Sequence, residues 1–222
     1  MTALCEPKTL RRPVARLAAK VAMPEPEAPS RPLRVGLLGG SFNPAHAGHR
    51  YISLEALRRL GLDQVWWLVS PQNPLKAAAG MAPLAERVAC ATAVAAHPRI
   101  RALPLETRLG TRFTADTLRR LTTWRGHRFV WLMGADNLAQ LPRWRHWRQI
   151  MAACPVAVFE RHPYSYAALA GPAAGGFRAA RLPEPRVSEL ANGPTPAWVF
   201  VRLRPHPASA TAIRARSGAC GG

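Results

Sequence analysis

From residue 33 onward the chain alternates between two hydrophobic patterns. Short runs that are apolar at nearly every position stand at 34–38, 64–69, 100–103, 128–133, 154–159 and 197–203. The first two end in Gly39-Gly40 and Ser70-Pro71, which punctuate the backbone. Continuous apolarity over so few residues reads as a strand buried on both faces. Between the runs lie longer stretches with a helical period. In 45–60 the apolar positions are Ile52, Leu54, Ala56, Leu57 and Leu60, and Gly61 supplies the stop. Residues 83–96, ending before Pro98, and residues 113–124 are likewise predicted to be helices. Doubly buried strands alternating with helices require a parallel sheet covered on both sides. The predicted fold class is therefore α/β: a doubly wound, Rossmann-like parallel sheet with helices on both faces, in a single domain over 33–222. Residues 164–196, rich in Ala, Pro and Gly, show no clear period, and a short helix over 164–169 within a long loop is expected there.

Residues 1–32 break the pattern. Two basic patches precede Pro-Glu-Pro-Glu-Ala-Pro-Ser-Arg-Pro, a run unable to sustain a helix or a ladder, so this part reads as a disordered or flexible N-terminal extension. It has no apolar stretch followed by a small-residue cleavage site, as a secretory signal would. No apolar run approaches the roughly 20 residues of a membrane-spanning helix. Cys5, Cys90, Cys154 and Cys220 stand far apart without paired spacing, which points away from zinc and thiol-redox motifs and towards a cytoplasmic protein. Cys90 and Cys154 lie in apolar surroundings and are expected to be buried.

Charge adds one constraint. The 222 residues carry 31 basic and 12 acidic side chains, a net +19, and only three of the bases are lysines (Lys8, Lys20, Lys76). Such a balance makes nucleic acid, an anionic membrane or a phosphorylated substrate candidate partners. The arginines are scattered rather than gathered into a stripe, so a solvated arginine-rich surface is the competing explanation.

The candidate chemistry lies in the turn after the first predicted strand, Gly39-Gly40-Ser41-Phe42-Asn43-Pro44-Ala45-His46-Ala47-Gly48-His49. It lacks the Gly-Lys-Ser/Thr of a P-loop and the spaced glycines of a dinucleotide fingerprint. Its glycines allow a phosphate to approach the backbone closely. His46 and His49, three apart at a helix start, can project to one side near the positive end of the helix dipole. Two capping or surface histidines, or a zinc pair wanting further ligands, are the alternatives.

These residues resemble the motif of the H-x-G-H nucleotidyltransferase superfamily, with Ser41 and Asn43 where many members have Thr and Asp. Four further segments resemble the bacterial nicotinate-nucleotide adenylyltransferase family. Pro71-Gln-Asn-Pro-Leu-Lys76 is similar to its P-x-x-P-H-K loop, with Leu75 in place of the histidine. Arg112-Phe-Thr-Ala-Asp-Thr-Leu118 is similar to its S-Y-T-x-D-T-L segment, and Gly134-Ala-Asp136 through Leu141-Pro-Arg-Trp144 to its G-A-D and L-P-x-W stretch. Ser209-Ala-Thr-Ala-Ile-Arg214 looks like the C-terminal I-S-S-T-x-I-R motif. Arg145 follows Trp144 where many relatives have tyrosine.

The resemblance implies adenylyl transfer from ATP to nicotinate mononucleotide, giving nicotinate adenine dinucleotide and pyrophosphate. By it His46 and His49 are catalytic phosphate contacts, and Gly39, Gly40, Ser41, Phe42, Lys76, Ser209, Thr211 and Arg214 bind ATP. Thr114, Asp136 and Trp144 bind nicotinate mononucleotide, Trp144 by stacking on its ring, and Arg161 reaches nucleotide phosphate. Mg²⁺ is the implied cofactor, held mainly by ATP phosphates rather than by a protein metal site. The expected partners are these small molecules, with no membrane and no specific nucleic acid, and a homo-oligomer is compatible with the sequence. Another acceptor, such as nicotinamide mononucleotide or phosphopantetheine, and a basic nucleic-acid-binding protein are the rival readings.

Overall fold

A computed structural model of the chain describes residues 31–71 and 80–204. The described strands are β1 (Leu33–Gly40), β2 (Gln64–Val69), β3 (Ile100–Leu103), β4 (His127–Gly134), β5 (Val156–Phe159), β6 (Arg181–Leu182) and β7 (Trp198–Val201). They form one sheet in the order β3-β2-β1-β4-β5-β7-β6, every neighbouring pair parallel. Chain order therefore reverses at β1, which lies between β2 and β4.

The continuous apolarity of the strands follows from burial on both sides. Along β1, Val35 and Leu37 join one core layer with Trp66, Leu68, Trp131 and Met133, while Leu38 joins the other with Val65, Trp67, Val130 and Leu132. The second layer is covered by α1 (Ala47–Arg59) and α2 (Leu84–Ala95), through Ala56, Leu57, Ala91 and Ala95. The first is covered by α4 (Thr114–Leu121), α5 (Ala135–Gln140) and α6 (Trp147–Ala153), reached from β3 through the short α3 (Leu105–Leu109). A side chain such as Trp66 or Trp67, fully buried, contributes on the order of 2–3 kcal/mol through the hydrophobic effect. The predicted doubly wound fold is the one observed.

Local departures from the predicted elements have physical reasons. The helix predicted over 113–124 ends at Leu121. Helices α3, α5 and α6 went unpredicted, since at five to seven residues they are too short to display a period. The stretch 164–196 is not one long loop. It holds α7 (Ser165–Ala170), α8 (Pro172–Gly176), the two-residue edge strand β6 and 3₁₀ turns over Glu184–Asn192 that bury Leu190 and Ala191. Cys154 is buried as expected, which pushes its thiol pKa up to about 12, but Cys90 is exposed. The buried face of α2 is Arg87, Ala91 and Ala95, and Cys90 points away from it. Cys5 and Cys220 lie outside the described residues.

One buried acid gives the fold a pH dependence. Glu106, in α3 just beyond β3, is 7% exposed, and burial pushes its carboxyl up to about 7 from an ordinary 4.5. Below pH 4.5 the group is protonated in both folded and unfolded chains; above it the unfolded chain releases a proton that the folded chain keeps until about pH 7. Stability from this group is therefore lost as pH rises through that window, by a few kcal/mol. Urea midpoints measured from pH 4.5 to 7.5 are expected to fall more steeply for the wild type than for Glu106→Gln. Parallel profiles would contradict the assignment.

Candidate active site

Where strand order reverses, the crossovers on either side depart in opposite directions and leave a crevice beyond the carboxyl ends of the central strands. Here that place is the end of β1 beside the end of β4. Gly39 shapes it from below, because a Cβ there would stand 2.5 Å from the Trp131 ring. The strand can reach its last residues only without a side chain at that point. The turn that follows places Phe42 at φ +47°, a left-handed conformation that costs a non-glycine residue about 1–2 kcal/mol. Packing holds it there: the Phe42 ring is 2% exposed, stacks on Trp67 at 5.1 Å and meets His49 at 4.7 Å.

His46 and His49 come together as predicted, and their geometry fixes their chemistry. His46 is the N-cap of α1, its Nδ1 accepting from the Gly48 amide at 3.1 Å. His49, three residues on, accepts the His46 amide on its own Nδ1 at 3.2 Å. The pair forms a reciprocal capping box built from imidazoles, with ring centroids 3.8 Å apart. An Nδ1 that accepts places the hydrogen of a neutral ring on Nε2, so each ring presents Nε2–H as its donor. Ser53 fixes the backbone beneath: it accepts from Trp67 Nε1 at 2.7 Å and donates to the His49 carbonyl at 2.8 Å. No acidic residue occupies the first turn of α1, at the positive end of its dipole.

Ser41 lies in the same turn, and its carbonyl accepts from the guanidinium of Arg87 at 2.7 Å. Asn43 ties the turn to the far side of the cleft, donating to the Gly80 carbonyl at 3.0 Å and accepting from the Ala82 amide at 3.3 Å. Gly40, Ser41, Phe42, His46 and His49 are thus gathered beside the ends of β1 and α1, with Gly39 directly below. Lys76, Ser209, Thr211 and Arg214 lie outside the described residues.

The predicted acceptor-side residues fall on the opposite face of the sheet. Asp136 is the second residue of α5, which starts directly after β4, and forms an ion pair with Arg161 at 2.9 Å. Its Oδ1 is buried without a hydrogen-bond partner among the described residues, and Gly134 leaves room for it, since a Cβ there would sit 2.5 Å from that oxygen. Thr114 is the first residue of α4, whose N-cap residue, Phe113, supplies no side-chain hydrogen bond to the helix. Trp144 is half-buried against the core, and Trp147 packs edge-on to Phe177 at 6.0 Å. The Arg145 guanidinium lies over the Phe113 ring at 4.8 Å, so the segments carrying Thr114 and Trp144 meet across these neighbouring residues.

Sequence reasoning missed Arg87. The available signal was its register with Ala91 and Ala95, which puts an arginine on the core-facing side of α2. Among the described residues no group of three His, Cys, Asp or Glu side chains is placed to hold a metal ion.

Comparison with known proteins agrees with this geometry. The family described as Cytidylyltransferase-like matches residues 37–216. A "Probable nicotinate-nucleotide adenylyltransferase" of Bradyrhizobium sp. (strain BTAi1) is 52% identical over 187 residues, 84% of this chain and 97% of the relative. One of the same name from Methylorubrum extorquens is 51% identical, covering 83% of this chain and all of the relative. The fold is similar to that of Plasmodium falciparum nicotinic acid mononucleotide adenylyltransferase complexed with NaAD, with a TM-score of 0.61 at 13% identity over 82% of this chain and 83% of that one. With half of its residues shared with these relatives over nearly their whole length, and with the matching fold, the chain belongs to the nicotinate-nucleotide adenylyltransferase family of nucleotidyltransferases.

Proposed function

We propose that the chain transfers the adenylyl group of ATP to nicotinate mononucleotide. The observation that carries this reading is the pair of imidazoles capping α1, each with Nε2–H as its donor, at the point where strand order reverses. Names of relatives that share half of the sequence support the choice of substrates. In the reaction a phosphate oxygen of the mononucleotide attacks the α-phosphorus of ATP. A new P–O bond forms, the bond from that phosphorus to the bridging oxygen breaks, and pyrophosphate leaves with the electron pair. The attacking oxygen is already anionic, so no general base or covalent enzyme intermediate is needed. What the chain must supply is alignment of two polyanions and neutralisation of charge on the phosphoryl oxygens.

The described residues suit that task. Nε2–H of His46 and His49 donates to ATP phosphate, His46 nearest the reacting group, beside the positive end of α1. Gly39 and Gly40 let the strand end pack against the Trp131 and Phe42 rings, and the turn amides of Ser41 and Phe42 donate. Lys76, Ser209, Thr211 and Arg214 complete the triphosphate site by resemblance. On the acceptor side Trp144 stacks on the pyridine ring, the amides at Thr114 receive the nicotinate carboxylate, and Asp136 accepts from ribose hydroxyls. Mg²⁺ suits oxygen ligands and keeps much of its water, so the imidazoles and amides of the cleft fit an ion that arrives on the phosphates rather than in a protein cage. When bound it neutralises phosphate charge. The chain acts on small molecules, and no helix among the described residues is long and apolar enough to cross a membrane.

Pyrophosphate release measured with ATP and each acceptor in parallel is expected to be fast with nicotinate mononucleotide and at least tenfold slower with nicotinamide mononucleotide, which lacks the carboxylate (about 1.4 kcal/mol or more). Equal rates would refute the acceptor assignment. His46→Ala is expected to lower kcat by about 10²–10³-fold. It should cost only about 1 kcal/mol of stability through the lost cap. Undiminished kcat in a folded variant would remove His46 from the reaction.

A further inference from the structure

Arg87 is 3% exposed, yet among the described residues no carboxylate pairs with it. Its guanidinium is instead spent on backbone carbonyls. Nε donates to Ala82 at 2.8 Å, Nη1 to Ser41 and to Ser70 at 2.7 Å each, and Nη2 to Pro71 at 2.9 Å. Those four carbonyls belong to three places: the turn after β1, the two residues that follow β2, and the entry to α2. A planar fork with five donors can span them at once, which an ammonium group cannot.

Holding the Ser41 carbonyl has a consequence across the peptide plane. The Ser41–Phe42 bond is trans, so its C=O and N–H point in opposite directions. With the carbonyl drawn onto Arg87, the Phe42 amide is turned away from it. Phe42 also holds a left-handed φ of +47°, a conformation that persists only where its surroundings over-determine it. The Trp67 stack fixes its ring, and Arg87 fixes the peptide before it. The same guanidinium fixes the Pro71 carbonyl, from which the segment bearing Lys76 departs.

We propose that Arg87 is a positioning residue for adenylyl transfer: by holding the carbonyls of Ser41, Ser70 and Pro71, it keeps the Phe42 amide turned away from itself as a phosphate donor and ties the turn after β1 to the end of β2. The inference rests on the reaction proposed above and adds to it a residue that touches neither substrate. It also places a permanent positive charge, unmatched by any acid among the described residues, behind the turn that receives a polyanion. Replacement by lysine keeps the charge but cannot reach all four carbonyls.

The test uses the full chain as wild type, Arg87→Lys and Arg87→Ala. For both variants the KM for ATP is expected to rise by about tenfold or more, with the KM for nicotinate mononucleotide changed less than about threefold. Affinity for ATP should fall while affinity for adenosine, which has no phosphates, stays the same. Ethylguanidinium added to Arg87→Ala should restore part of the loss. A purely structural clamp would lower thermal stability and weaken ATP and adenosine alike, or leave the KM for ATP unmoved; either result overturns the proposal. Should the variants fail to fold, the wild type decides. With ¹⁵N-phenylalanine labelling, the Phe42 amide, one of six phenylalanine amides, should shift on titration with inorganic pyrophosphate. An unmoved Phe42 resonance at saturation overturns the proposal. A wild type that binds pyrophosphate at Phe42 but releases none from ATP would refute the proposed reaction and leave only the Phe42 amide's role as a phosphate donor.

Discussion

Backbone amides at the start of a helix must find acceptors, and at α1 two histidines provide them. That requirement sets the orientation of the site. Because Nδ1 of each ring is committed to a backbone N–H, the rings cannot turn freely, and the donor of each is fixed at Nε2. The capping depends in turn on where α1 begins. Its start follows from a strand that runs to Gly40 without a side chain against Trp131, and from a turn that accepts a left-handed Phe42. The hydrogen-bonded line from Trp67 through Ser53 to the His49 carbonyl joins this arrangement to the core. A helix-capping interaction worth about 1 kcal/mol in stability thereby decides where the two Nε2 donors point.

Electrostatics completes the picture. Most of the ion pairs among the described arginines have an exposed partner, as Arg58 with Glu55 and Arg186 with Glu189, and exposed pairs contribute little to stability. Arg87 is the exception in kind, a buried cation satisfied by carbonyls alone. It lies against the turn after β1, beside a helix whose first turn carries no acidic residue. The net charge of +19 is thus mainly a property of the surface, and the part relevant to chemistry is local.

The strand pattern of the sequence was legible because both faces of the sheet are buried. The predicted limits of β2 and β3 coincide with those observed, since an apolar run bounded by turn residues leaves no freedom of register. The imidazole pair was legible too, because three-residue spacing at a helix start brings side chains together whatever the rest of the chain does. Helices of five to seven residues were not legible, nor was the packing of 164–196, where Ala and Gly give almost no periodic contrast. The meeting of the Thr114 and Trp144 segments through Arg145 and Phe113 depends on tertiary packing between α4 and α6, which local spacing does not encode. Arg87 was hidden for a related reason. An arginine in a helix normally faces water, and only the folded positions of Ser41, Ser70 and Pro71 reveal what this one holds.

If the end of β1 and the imidazole cap of α1 form the phosphate site of an adenylyltransferase, a bound triphosphate must lie against them. A crystal structure of the chain with a non-hydrolysable ATP analogue and nicotinate mononucleotide tests it most directly. Triphosphate oxygens are expected within hydrogen-bonding distance of Nε2 of His46 and of His49 and of the Phe42 amide, with the pyridine ring against Trp144. A triphosphate bound away from the α1 N-terminus, touching neither imidazole, would rule this phosphate site out.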